Sequence, residues 1–350
     1  EMGAAGGGGG GGDGGESSKF PSFVPQEPAK EIQEEDCIRL LESLARLPVK
    51  LPSKNNQQVE TVVAGGVDQM VNQKSDVPPI VMLHGFDSSA LEYRRLIPAL
   101  KRLKKEMSEQ EQEQHLRAWA IDLIGWGFSE ASGEVDKIGP NEKRENLYEL
   151  WKTYVKEPMV LVGSSLGGAI AIDFALEHPD AVKGLVLIDA QAWIDGVQSP
   201  PEIFMDLGLN VLRSEPLRQI ANVQSYYNKD KYATDDALKI GRLHTFMPNW
   251  KTYNKKWMQG GGYIISERIK DLQVPTMVLW GAQDKILGTE PAEKFKNALP
   301  SASLVWVDEC GHVPHLEQAE FTAEKLLTFA SELTSTANDA QKLQDQAFAQ

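Results

Sequence analysis

Residues 163–167 read Gly163-Ser164-Ser165-Leu166-Gly167, a G-x-S-x-G pattern set between an apolar run and a helix-like run. The chemistry such a pattern offers is nucleophilic attack by a hydroxyl. A sharp strand-to-helix turn holds the middle serine clear of the backbone, and the helix that begins there favours developing negative charge. Only Ser165 occupies the middle position; Ser164 is read as shaping or hydrogen-bonding the turn. The plain alternative is a Gly/Ser turn in a parallel sheet with no chemistry. The strand pattern before the motif and the apolar-faced helix pattern after it weigh against that alternative.

A serine hydroxyl needs a base to take its proton, and the base needs a carboxylate to orient it. Of six histidines, His312 lies in "ECGHVPHLE", a loop after the last apolar strand run, where a base facing Ser165 would have to come from. His315, three residues on, is the runner-up, with a helix-cap or packing role as its plain reading. For the acid, Asp284 in "LWGAQDKI" is preferred, and Asp189, which closes "GLVLID", is a rival at the same sheet edge. The chain order Ser165, Asp284, His312 is one that triads use on open α/β sheets. Two backbone N–H groups could receive an oxyanion, that of Leu166 and that of Phe86 in "LHGF".

These residues need a scaffold that brings strand ends together. "PPIVMLHG", "LRAWAID", "PMVLVG", "VKGLVLID" and "VPTMVLWG" are apolar throughout, and helix-patterned segments separate them. Strands of this kind indicate an α/β fold, with a mostly parallel sheet covered by helices on both faces. The alternation stops near Asp189, and residues 190–270 read as short helices. They are expected to form a helical cap over the carboxyl ends of the strands, where open α/β sheets bind ligands. The expected core is therefore 31–189 and 271–334. Residues 1–30, glycine-rich and then proline-rich, are expected to be a disordered tail, and 335–350 a loose one. "EIQEEDCIRLLESLARLPVKLP" is expected to form one helix ending at Pro48, packed on the domain rather than on a membrane. "KKEMSEQEQEQ" reads as a solvated helix end and loop. The cap holds ten aromatic residues. Their sharper reading is an apolar pocket wall, and their plainer one is packing between helices.

The chain has 350 residues and a formal net charge of −14, which argues against nucleic acid as a partner because phosphate binding needs a basic face. Two cysteines, Cys37 and Cys310, are too few for a disulfide framework or a zinc cluster. No uncharged apolar run reaches the ~18 residues that a membrane span needs. The chain begins at Glu1 rather than Met, which reads as a trimmed or processed chain and leaves a lost targeting segment open.

The motifs "LHGFDSS", "DLIGWGFS", "GSSLGG", "GAQDKI" and "CGHVPH" together resemble the α/β-hydrolase superfamily over about 77–333. That resemblance implies Ser165 as nucleophile, Asp284 as acid, His312 as base, and Phe86 and Leu166 as oxyanion donors. It implies no cofactor and no metal. "PLRQIANVQSYY", "IGRLHTFMPNW" and "MQGGGYIIS" are similar to a plant plastid branch that includes chlorophyll dephytylase. The narrower resemblance implies a serine hydrolase cleaving a carboxylic ester of a long apolar alcohol or acid, with the phytyl ester of chlorophyll as the specific expectation. It also implies a chloroplast location, open to peripheral membrane contact. "GSSLGG" and "IDAQAWIDG" depart from that branch and bear on the substrate rather than on the triad. The alternatives are a generic carboxylesterase or lipase-like enzyme, and a non-catalytic small-ligand receptor on the same fold.

Overall fold

In the computed structural model, which describes residues 19–67, 75, 77–107, 116–199 and 201–348, the apolar runs form one nine-stranded sheet. The glycine-rich stretch 1–18 and residues 108–114 of the acidic loop lie outside the described residues. The strands are β1 (Ala45–Leu51), β2 (Gln57–Ala64), β3 (Ile80–Leu83), β4 (Ala118–Asp122), β5 (Glu130–Ala131), β6 (Met159–Ser164), β7 (Val182–Ile188), β8 (Thr276–Gly281) and β9 (Ser303–Val307). Their spatial order is β1-β2-β4-β3-β6-β7-β8-β9, with β5 beside β2. Pairing is antiparallel around β2 and parallel from β4 to β9.

The helices in the first half are α1 (Gln26–Lys30), α2 (Glu35–Glu42), α3 (Leu96–Met107), α4 (Pro140–Leu150) and α5 (Leu166–Glu177). Between β7 and β8 come α6 (Glu202–Arg213), α7 (Glu215–Ser225), α8 (Lys229–Tyr232), α9 (Asp235–Leu243) and α10 (Trp250–Gln259). The chain closes with α11 (Glu290–Ala298), α12 (Pro314–Glu317) and α13 (Ala319–Phe348).

Because successive strand residues face opposite ways, the sheet feeds two cores. Val81, Leu83 and Leu161 pack with Leu147 of α4 and Phe174 of α5. Ile80, Met82 and Val160 pack with Leu96 of α3 and Leu326 of α13. Every residue of β3, β4, β6 and β8 is buried. Polar alternation was therefore missing from these runs because neither face meets water. Between β3 and β6 the direction of strand succession reverses: from β3 the chain goes one way to β4, and from β6 the other way to β7. The two loops part there and leave a crevice at their carboxyl ends.

Three expectations are corrected. Residues 1–30 do not form a disordered tail throughout, since Phe20, Val24 and Ala29 are buried in the α3-side core and α1 begins at Gln26. The apolar side chains of "FPSFVP" find a surface to cover, and Arg46 stacks over the Phe23 ring at 4.5 Å. The single helix to Pro48 is two elements. In α2, Cys37, Leu40 and Leu41 are buried, so it packs on the domain, while 45–51 is strand β1. β1 buries Leu47, Val49 and Leu51 alternately, and Pro48 is tolerated because β1 is an edge strand. Nor is the expected tail at 335–350 loose over 335–348, because α13 continues to Phe348. No proline or glycine follows Ala319 to stop it, and Ala, Lys, Gln and Leu sustain it.

Candidate active site

The chain turns from β6 into α5 at Ser165, whose φ of +51° and ψ of −122° lie in a region that L-residues rarely adopt. Such strain persists only where the surroundings over-determine it. Here Ser165 N–H donates to Ile188 O at 3.0 Å, and Ser165 O accepts from Gly168 N and Gln191 N at 2.9 Å each. The glycines of the motif are spatial requirements. A Cβ on Gly163 would lie 2.3 Å from Gly167 O, one on Gly167 2.2 Å from Leu83 O, and one on Gly168 2.3 Å from Ala190 Cβ. Gly167→Ala should therefore push α5 off the end of β3 and lower stability by about 3 kcal/mol or more, beyond ordinary overpacking. Gly208→Ala, at a position inside α6 where a Cβ meets nothing within 4 Å, should instead raise stability by about 0.5–1 kcal/mol. Denaturant titration of the two variants checks both signs. Ser164 ends β6 fully buried, and its Oγ has no hydrogen-bond partner among the described residues, so its hydroxyl does not brace the turn as expected.

Leu166 is the first residue of α5. Its N–H is one of those a helix leaves unpaired, at the end where the helix dipole favours negative charge. Phe86 stands on the facing loop after β3, with its side chain exposed. Behind that loop, Glu92 Oε2 accepts from Gly85 N at 3.1 Å. Burial would raise the Glu92 carboxyl, but the hydrogen bond and charge of His315, 3.0 Å away, hold it down at about 2. His84 is pushed down to about 4 by burial and stays neutral, with Nδ1 2.8 Å from Gly85 O.

His312 Nδ1 lies 2.9 Å from Asp284 Oδ2. Asp284 Oδ1 accepts from Ile286 N at 2.7 Å and Leu287 N at 3.2 Å. Burial works to raise the Asp284 carboxyl, yet the hydrogen bond and charge of His312, with those two N–H groups, bring it below the ordinary carboxylate range. Asp189 sits in the same cluster, with polar atoms of Asp189, Asp284 and His312 all within 4.8 Å of one another. It is fully buried, accepts from Gly281 N at 3.0 Å, and has a φ of +40°. Burial first, and the neighbouring Asp284 charge second, raise its carboxyl well above the usual range, the opposite direction to Asp284. His315 has no exposure and faces Glu92 and the Tyr93 ring.

Ser165, Phe86 and His312 line one cavity of about 360 Å³. Its roof is the cap, with Ala221, Tyr226, Leu238 and Ile240 among the lining residues. The cap aromatics follow the plainer reading, packing between helices. Of the ten cap aromatics only Tyr226 lines the cavity, while Tyr253, Trp257 and Tyr263 are buried in a core cluster. Residue type told of burial but not of direction. Arg94 and Arg218 also reach the cavity, each against a carboxylate, Glu34 for Arg94 and Asp87 for Arg218. The cap is tied to the His312 loop through its backbone. His312 N–H donates to Ser225 O at 2.8 Å, and Glu317 accepts from Gly311 N at 2.8 Å, Tyr227 N at 3.0 Å and Asn228 N at 2.6 Å. Sequence reasoning missed Asp87, Glu92, Arg218 and Glu317. Nothing local marks them, because each also has a partner far along the chain: Arg218 for Asp87, His315 for Glu92, and Tyr227 and Asn228 for Glu317.

A buried, ionised carboxylate on one ring nitrogen of a histidine leaves the other free to accept a proton. A cavity shared with a strained serine at a helix start gives that proton a source. The chain matches the alpha/beta hydrolase fold family over residues 78–319. It is 36% identical over 318 residues to the alpha/beta hydrolase domain-containing protein VTE7 of Arabidopsis thaliana, covering 89% of this chain and 91% of that one. Lipase 1 of Psychrobacter immobilis is 26% identical over 292 residues, covering 80% and 86%. Among solved structures, a membrane phospholipase A described as a bacterial virulence factor superposes with a TM-score of 0.63 at 21% identity, covering 87% of this chain and 92% of that one. With a parallel sheet, a helical insertion after β7 and a serine elbow after β6, the chain belongs to the α/β-hydrolase family.

Proposed function

We propose that this lipase- and esterase-like α/β hydrolase is a serine hydrolase cleaving a carboxylic ester of a long, mostly apolar alcohol or acid. Ser165 attacks the ester carbonyl, His312 takes the serine proton and returns it to the leaving alcohol, Asp284 orients the imidazole and stabilises its cation, and the N–H groups of Phe86 and Leu166 receive the oxyanion. Water then releases the acid from the acyl-serine by the same steps. The observation that carries this reading is the His312–Asp284 pair at 2.9 Å opening onto the cavity that Ser165 lines.

The phytyl ester of chlorophyll is the specific substrate we propose, and a plastid location goes with it. In favour are the cap-segment resemblance and aliphatic lining such as Leu238, Ile240, Val313 and Leu316. A volume of about 360 Å³ lies low in the ~300–1,000 Å³ range of small-ligand sites, so it suits a chain rather than a chain with a tetrapyrrole ring, which would stay outside. Peripheral membrane contact belongs to the same reading. Phe204, Leu207 and Val211 stand exposed along one side of α6, and no helix among the described residues is long and apolar enough to cross a membrane.

A series of p-nitrophenyl esters from acetate to palmitate, with chlorophyll alongside, tests the proposal. Each methylene buried is worth ~0.8 kcal/mol, so kcat/KM should rise up to about fourfold per methylene until the cavity is filled. Chlorophyllide should appear with wild type and not with Ser165→Ala. A series in which acetate is turned over best and chlorophyll is untouched points to a small-ester hydrolase. No turnover and no labelling by a fluorophosphonate leaves the ligand-receptor alternative.

A further inference from the structure

Asp87 directly follows Phe86, and its carboxylate is almost wholly buried, with a backbone φ of +45°. Among the described residues, the side chains that bind this carboxylate all come from the cap. Trp250 Nε1 donates to Oδ1 at 2.7 Å, His244 Nε2 lies 3.1 Å from Oδ1, and Asn254 Nδ2 makes a weak approach at 3.5 Å. The Arg218 guanidinium pairs with Oδ2 and also donates to the Asp87 backbone oxygen at 3.1 Å. These partners sit on α7, on the turn after α9, and on α10, so three separate pieces of the cap converge on one core residue. On the other side of Phe86, Gly85 N–H is held by Glu92, a core residue. The Phe86 peptide is thus bracketed between a core anchor and a cap anchor.

We propose that Asp87 is a positioning residue that couples the seating of the cap to the oxyanion hole, so that the Phe86 N–H is aimed at the reacting carbonyl only while Arg218, His244 and Trp250 grip the neighbouring carboxylate. The inference rests on the hydrolase reading above. A non-glycine residue at positive φ relaxes when its bonds are removed, and the peptide that turns with it, from Phe86 C=O to Asp87 N–H, shares the Phe86 Cα with the peptide that carries the Phe86 N–H. Burial is strong enough to require these partners, since a carboxylate in this place is tolerable only when its acceptor sites are filled. A cap displaced by one helix turn would break all of them at once.

The test compares Asp87→Ala, Trp250→Phe, Arg218→Ala and Arg218→Lys with wild type, using p-nitrophenyl butyrate turnover and the rate of fluorophosphonate labelling. A short ester makes little use of the cap for binding, so an effect through the hole falls on kcat. Asp87→Ala should lower kcat about 10²-fold, the usual result of losing one oxyanion donor, with KM changed less than about threefold. Labelling should slow in parallel, because the phosphonyl oxygen uses the same hole. Trp250→Phe should lower kcat several-fold, and Arg218→Lys, which keeps the charge, should restore most of what Arg218→Ala loses. Should Asp87→Ala not fold, the Trp250 and Arg218 variants carry the test alone. If these variants lose thermal stability while kcat and labelling stay at wild-type values, or if KM alone rises, Asp87 merely fastens the cap and the proposal is overturned. If wild-type protein is neither active nor labelled, the hydrolase reading fails and this one with it; normal wild-type labelling that Asp87→Ala leaves untouched overturns this one alone.

Discussion

Ser165→Ala is expected to abolish fluorophosphonate labelling and to lower ester hydrolysis by about 10⁴-fold or more, because nucleophile and base act as a unit and losing either removes most of what both supply. Ser164→Ala is the sharp control, one residue away. Its hydroxyl is buried at the end of β6 with no partner among the described residues, so replacing it removes a polar group that gains nothing from burial. That variant should label at the wild-type rate and be no less stable. The pair is read by gel labelling and turnover on the same preparations. Labelling that survives Ser165→Ala and disappears with Ser164→Ala would reverse the assignment.

The second large effect is expected at the acid. Asp284→Asn should lower kcat by about 10⁴-fold, since an amide beside Nδ1 can no longer stabilise the imidazolium and favours the wrong tautomer. Asp189→Asn, at a carboxyl in the same buried cluster, should cost less than about tenfold. Burial and Asp284 raise the Asp189 carboxyl well above the usual range, which favours its neutral form, and an amide can still accept from Gly281 N and donate toward Asp284. The two also differ in pH dependence. An acid whose folded pKa is raised binds its proton more tightly folded than unfolded. Its contribution to stability is therefore full below the unfolded value, about 3.9, and is lost as pH rises toward the folded one. Asp189→Asn removes that loss, so its stability relative to wild type should improve between pH 4 and pH 8. Asp284, held below the usual range, works in the opposite direction: its contribution is present above the unfolded value and is lost as pH falls through the folded one. Urea titrations at the two pH values separate the cases. If Asp189→Asn and Asp284→Asn lose activity equally, the division of roles between the two acids is wrong.

Sequence made the parallel sheet legible because burial on both faces leaves a run such as "PMVLVG" with no polar residue to break it. It made the elbow legible because glycines are required wherever backbone meets backbone, as Gly167 meets Leu83. β1 was misread because its residues directly continue a helix-spaced pattern, and the alternation of Leu47, Val49 and Leu51 is only three residues deep. Sequence preferred Asp284 to Asp189 but could not show why the two differ, since both follow strands at the same edge and what separates them is access to charge-stabilising donors. The grip on Asp87 lay beyond reach for another reason. Its partners are 131 to 167 residues away along the chain, and no local pattern records a bond of that span.

The order of strands also bears on how the protein is made. The block β1 to β7 leaves the ribosome first and can assemble as a contiguous sheet, whereas β8 and β9 are added afterwards on the outer side of β7. Between them comes the whole cap, so at ~5–20 residues per second the nascent chain carries β7 with an unpaired edge for several seconds or more. That edge is apolar along most of its length, the kind of template that recruits other chains. A ribosome-bound chain at this stage would need a chaperone to shield β7, and fragments that stop before Thr276 should be recovered as aggregates. On the proposed triad, the elbow serine would exist in such a chain with neither Asp284 nor His312 yet made, so the nascent protein would be chemically silent until its last strands dock.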